Sequence, residues 1–163
     1  MLPQQYHDPG DVFHRTSGWV QICPAGNEAA DVRDILRNYG CRSEVVGTYL
    51  DSLAQIQVVV WVVPMPDVSA AEGVYNNSNQ PDVNDWGIWC PGTGVGSQTC
   101  QEQWRSATFY QRTGFCHRYL MHAYALYVDL RSGSAALPAL TLAATAANRS
   151  IGAWNIPGTQ CQT

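Results

Sequence analysis

The segment Gln55-Ile56-Gln57-Val58-Val59-Val60-Trp61-Val62-Val63 is apolar and β-branched on both faces. A strand exposed on one side alternates apolar with polar residues, whereas one covered on both sides has no reason to. The stretch therefore predicts a central strand buried on both faces. Pro64 and Pro66 end it, because proline cannot donate to a sheet ladder. Upstream, residues 43–50 connect through Asp51-Ser52 and read as the other arm of a hairpin. Val45, Val46, Tyr49, Leu50, Leu53 and Ile56 also fit one helical face, which leaves that arm open.

Working outward, residues 116–130 form the second long apolar run. As a strand it puts Leu120, His122, Tyr124, Leu126, Val128 and Leu130 on one face, with Tyr119, Met121, Ala123, Ala125 and Tyr127 on the other. Residues 17–23 read as a short strand. Asn27 then caps a helix, with Glu28 and Asp31 in its first turn, where carboxylates suit the positive helix end. Val32, Ile35, Leu36 and Tyr39 share one face of that helix and Gly40 stops it. Residues 67–101 are loop-like, broken by Trp86-Gly87-Ile88-Trp89-Cys90. After a turn at 131–134, residues 135–147 read as helix by alanine content and as strand by LTLAAT, and 150–156 as a last short strand.

These readings give an α+β class: a β-rich antiparallel sheet around 55–63 and 117–130, with one N-terminal helix and disulfide staples. The alternative is an all-β sandwich. Residues 1–16 are polar, with Pro3, Pro9 and Gly10 and no period, and are expected as an extended arm able to dock in a neighbouring subunit. Residues 17–163 form one globular domain, long enough at this length for an ordinary core.

Charge narrows the function. Only 13% of residues are charged, all nine cations are Arg, and the net charge is −4. That argues against a nucleic-acid footprint or a polybasic membrane patch. No apolar run approaches the roughly 18 residues of a membrane span.

Cys23, Cys41, Cys90, Cys100, Cys116 and Cys161 form an even set without close C-x₂-C pairs, which favours disulfides in an oxidising compartment over a zinc site. Six cysteines allow fifteen pairings. The nearest-neighbour one, Cys23–Cys41, Cys90–Cys100 and Cys116–Cys161, is preferred, since it clamps a helix, a loop and the C-terminus. A secreted protein is thus expected. Met1-Leu2-Pro3-Gln4-Gln5 has no cationic start or apolar stretch, so a leader would already have been removed; the rival is a cytosolic chain with free thiols. Two sequons, Asn76-Asn77-Ser78 and Asn148-Arg149-Ser150, are compatible with export.

The chemistry concentrates in Pro81-Asp82-Val83-Asn84-Asp85-Trp86-Gly87-Ile88-Trp89-Cys90, with Trp104 nearby. Asp82, Asn84, Asp85, Trp86, Trp89 and Trp104 are the expected ligand-binding residues. Indole rings stack on sugar C–H groups while carboxylate and amide groups hydrogen-bond hydroxyls. The opposing reading makes Trp86 and Trp89 anchors that pin a long loop to the core. Asp82, Asn84 and Asp85 also offer oxygen ligands for calcium, but the EF-hand order is absent, and no metal or cofactor is expected. His117 and His122 fall on opposite strand faces and cannot share a metal.

No G-x-S-x-G, H-E-x-x-H or phosphate loop occurs. Glu102, Asp85, Asp129 and His122 are the residues left for acid–base work, without a spacing signal. The expected function is a secreted non-catalytic binding or adaptor domain, recognising a glycan or a protein through its aromatic loop. A subunit of a larger extracellular, toxin-like assembly fits equally. The competing class is a small secreted hydrolase acting on glycan or nucleic acid. If all six sulfurs are paired, intact mass rises by about six hydrogens on reduction; an unchanged mass refutes the compartment reading.

Overall fold

The computed structural model describes residues 2–78, 85–151 and 161–162. Its strands are β1 (Gln5–His7), β2 (Val12–Ile22), β3 (Ser43–Leu50), β4 (Ile56–Pro64), β5 (Phe109–Cys116), β6 (Tyr119–Tyr127) and β7 (Cys161–Gln162). The helices are α1 (Ala30–Asn38), α2 (Val68–Ser78) and α3 (Leu137–Ser150). All strands join one antiparallel sheet of order β1-β2-β3-β4-β6-β5-β7. A single sheet with helices on both faces replaces the two packed sheets of the sandwich alternative.

β4 lies at the centre and is buried along its length up to Pro64. Val58, Val60 and Val62 share one core with Met121, Ala123 and Ala125 of β6 and with Leu140, Ala143, Ala144 and Ala147 of α3. The alanines on both elements let the helix approach closely. Val59, Trp61 and Val63 face a second core completed by Val32 and Leu36 of α1, Ala71 and Val74 of α2, and Trp86, Ile88 and Trp104 from the long connection. Residues 43–50 are strand, because β2 and β4 supply backbone partners on both edges. The turn into β4 is held by Asp51, whose Oδ1 accepts from the backbone N–H of Gln55 (2.6 Å) and Ile56 (2.8 Å).

Four expectations change and one open reading is resolved. Residues 2–16 are no free arm: β1 and the start of β2 form the edge hairpin of the chain's own sheet. Tyr6 and Phe13 are buried and stacked at 4.9 Å, and the Tyr49 hydroxyl donates to the Pro3 carbonyl at 2.8 Å. A polar segment with two well-placed aromatics packs without showing a period. The expected loop 67–101 contains α2, whose buried stripe is only Ala71, Val74 and Ser78. The run 116–130 breaks at His117, in the left-handed region at φ 53°, so that β5 precedes it as a separate strand. Residues 135–147 resolve as helix, with Pro138 in its first turn. Asn27 does not cap α1; Ala29 holds that position, and the Asn27 amide donates to the Ile88 carbonyl at 3.1 Å.

Of the expected strand at 150–156, residues 150 and 151 close α3 and the rest lie outside the described residues. The disulfides are Cys23–Cys41, Cys90–Cys100 and Cys116–Cys161, as the nearest-neighbour pairing expected. Asn148 is buried, its amide donating to the Arg112 and Met121 carbonyls at 3.1 Å each, so the second sequon is closed to modification. No described helix is long and apolar enough to cross a membrane.

α1 and α2 meet where Gly73 faces the Tyr39 ring, with no room for a Cβ. Gly73→Ala gains helix propensity, yet overpacking costs about 1–3 kcal/mol. The expected outcome is net destabilisation in urea unfolding; a stabilised variant refutes this packing.

Candidate functional site

The long connection and the β5–β6 hairpin enclose a hollow of about 250 Å³ lined by Asp85, Trp104, Arg105, Phe109, Gln111 and Tyr124. Its floor follows from sheet register. Gln111 and Tyr124 are direct cross-strand partners, so their side chains emerge on one face. Phe109, two residues before Gln111, shares that face and stacks on Tyr124 at 4.8 Å. Trp104, in the short turn Trp104–Ser106, meets Tyr124 edge-on at 5.8 Å.

The charged groups at the rim are paired. Arg105 Nε donates to Asp85 Oδ2 at 3.0 Å, and its guanidinium lies 4.2 Å from the Trp104 ring centre. The other Asp85 oxygen accepts from the Gly87 backbone N–H at 2.9 Å, and the Asp85 carbonyl accepts from the Ala29 N–H at 2.9 Å. Two polar atoms in the lining have no partner. The Tyr124 hydroxyl and Gln111 Oε1 are both buried and unbonded. Each such atom costs about 1–3 kcal/mol, so an uncompensated pair in one hollow calls for an explanation. Burial, then the charge of Asp85, pushes the Tyr124 phenol well above its ordinary range, with Arg105 opposing. It stays protonated and able to donate, while Gln111 Oε1 can only accept.

Of the expected ligand-binding residues, Asp85 and Trp104 line this hollow. Asp82 and Asn84 lie outside the described residues. Trp86 is wholly buried, stacked on His122 at 4.6 Å and edge-on to Trp61, so its ring offers no face to a ligand. Trp89 is partly buried, edge-on to Trp19 at 5.4 Å, and its carbonyl accepts from the Gln57 amide at 3.1 Å. Both indoles pack against residues of the sheet, Trp86 on β4 and β6 and Trp89 on β2. Nothing in the sequence joins Arg105, Phe109, Gln111 and Tyr124 as a site: alternation along β6 gives Tyr124 its face, while β5 mixes polar and apolar residues without a period.

The acid–base candidates are dispersed. Glu102 is exposed. Asp129 is exposed and paired with Arg131 at 2.7 Å, and its hydrogen bonds to Arg131 hold it below the ordinary carboxylate range. His122 is fully enclosed and burial drops its pKa to about 3; its Nδ1 lies 2.8 Å from the Thr113 hydroxyl. Among the described residues no group of three His, Cys, Asp or Glu is placed to hold a metal.

Tyr124→Phe removes a buried hydroxyl that has no partner. Thermal stability is expected to hold or rise, by up to about 1 kcal/mol, and a loss above that amount would mean that the hydroxyl is bonded within the fold. No protein-family model, no curated protein and no solved structure matches the chain, so its functional reading rests on this geometry.

Proposed function

We propose that the chain is an exported, disulfide-stapled binding domain that takes a carbohydrate unit in the hollow between Trp104, Phe109 and Tyr124. The observation that carries the proposal is that the Tyr124 hydroxyl and Gln111 Oε1, on two residues that line the same aromatic hollow, are buried without partners. A sugar supplies what this arrangement lacks: a hydroxyl that accepts from Tyr124, another that donates to Gln111, and C–H groups for the ring of Phe109. The volume lies just below the usual range of about 300–1,000 Å³ for ligand pockets, which suits a single saccharide unit better than a protein side. Export is supported by the three disulfides, which persist in oxidising compartments.

The adaptor reading has weaker support, because the loop indoles turn inward rather than outward. The hydrolase reading needs a second carboxylate facing the sugar, and Asp85 alone among the described lining residues is acidic. The test is an array of neutral, acidic and sulfated oligosaccharides, followed by calorimetry on those retained. Gln111→Ala and Phe109→Ala are each expected to weaken a retained glycan by about five- to tenfold, the equivalent of roughly 1 kcal/mol, with unchanged folding. Binding by both variants equal to wild type, or no glycan retained at all, overturns the proposal.

A further inference from the structure

Beneath the same loop lie two acidic side chains that the hollow does not use. Glu28, in the turn before α1, and Glu44, at the start of β3, are 3% and 0% exposed. Their carboxyl groups are within hydrogen-bonding range of each other. Glu44 Oε1 accepts from the Gln21 amide of β2, which also accepts from the Trp19 indole, and Glu28 Oε1 accepts from the Ala25 N–H at 3.3 Å. The second oxygen of each carboxyl is buried and has no donor. The charged groups acting on Glu28 are Glu44 and Arg33 of α1, whose Nη1 donates to the Gly26 carbonyl while its Nε is buried without a partner. On Glu44 the neutral Gln21 amide acts as donor and Glu28 is the one charged group, so no cation acts on it. Two carboxylates cannot bond each other, whereas a carboxyl and a carboxylate can, and one proton is then the missing donor.

The turn that carries Glu28 also holds the edge of the hollow. The Ala29 N–H donates to the Asp85 carbonyl at 2.9 Å and the Asn27 amide to the Ile88 carbonyl at 3.1 Å. Gly87, at φ +68°, lies so close to the Asn27 backbone that a Cβ there has no room. These contacts tie the turn that carries Glu28 to residues 85–88.

We propose that Glu28 and Glu44 share one proton and act as positioning residues for Asp85, so that the hollow keeps its ligand while the proton is present and loosens in alkaline solution. Regulation of the ligand rests on the binding reading above; the shared proton and its effect on the loop do not.

The direction follows from the environment. Burial pushes Glu44 up to about 8, with the Glu28 charge adding to it, and burial also raises Glu28. Both lie above the ordinary carboxylate value of the unfolded chain. Their contribution to stability is therefore complete below that value, declines as pH rises, and is lost as pH passes through about 8.

The test is a pH titration of the full chain, followed by backbone amide resonances. In wild type the amides of Asp85, Gly87 and Ile88 are expected to move with a midpoint near 8. In Glu44→Gln, whose amide takes the place of the shared proton as donor to Glu28, the midpoint near 8 is expected to be lost. Any glycan retained by the array is expected to lose about tenfold in affinity per pH unit above the midpoint in wild type, and to be insensitive in the variant. If Glu44→Gln does not fold, Glu28→Gln takes its place, and the wild-type titration stands alone as a readout. Loop amides that are flat in wild type, or that titrate alike in the variant, overturn the proposal. Titrating amides with no glycan retained at any pH would sink the binding reading and leave the shared proton standing.

Discussion

The structure is governed by the need to cover β4 on both faces. A strand with Val58, Val60 and Val62 on one side and Val59, Trp61 and Val63 on the other leaves no face for water. Each such side chain left exposed forfeits roughly 1.5–3 kcal/mol of burial, so the chain has to supply two covers. On one side α3 does this with a ridge of alanines, a continuous and regular solution. On the other, α1 and α2 reach only part of the sheet, and the aromatic residues of a non-regular connection supply the remainder.

That second cover explains the staples. A connection without regular structure cannot satisfy itself with a ladder, and its backbone groups need partners from elsewhere. Ala29 and Asn27 serve Asp85 and Ile88, and Gln57 serves Trp89. Cys90–Cys100 then shortens the free length of the segment, and Cys23–Cys41 clamps the turn on which it leans; each contributes about 2–4 kcal/mol. The hollow lies where this cover stops, between Asp85 and the start of β5.

The core strand, its hairpin, the faces of β6, the stretch occupied by α1 and the pairing of all six cysteines were legible in the sequence. The hairpin arm at 43–50 stays open between strand and helix. The others rest on local signals: two-sided β-branching, a second long apolar run, helical spacing before a glycine, and an even set of cysteines paired with their neighbours in sequence. The rest depended on tertiary context. α2 buries three small side chains and so shows almost no stripe, and Tyr6 and Phe13 are too few to give the N-terminal hairpin a period. β5 mixes polar and apolar residues because one end closes a core and the other opens on the hollow. Phe109 and Gln111, half of the uncharged lining, lie on this strand and so carry no sequence signal. Trp86 was misplaced for a related reason: an indole has the same character whether it stacks on a sugar or on His122.

His122 and Tyr124 show how far alternation alone can carry a functional argument. They stand two residues apart on the same face of β6, both buried, both bearing a polar atom without a partner. Around His122 the next layer is complete: Trp61 and Trp86 pack on the ring, Thr113 meets Nδ1, and the imidazole is held neutral with no route to solvent. Around Tyr124 the layer is open on one side, and the neighbours are the charged pair Asp85 and Arg105. One ring is closed in by packed aromatic side chains, and the other lines the hollow. What separates them is whether Trp86, held by a turn whose own position depends on two buried carboxyl groups, extends far enough along the sheet to close the gap.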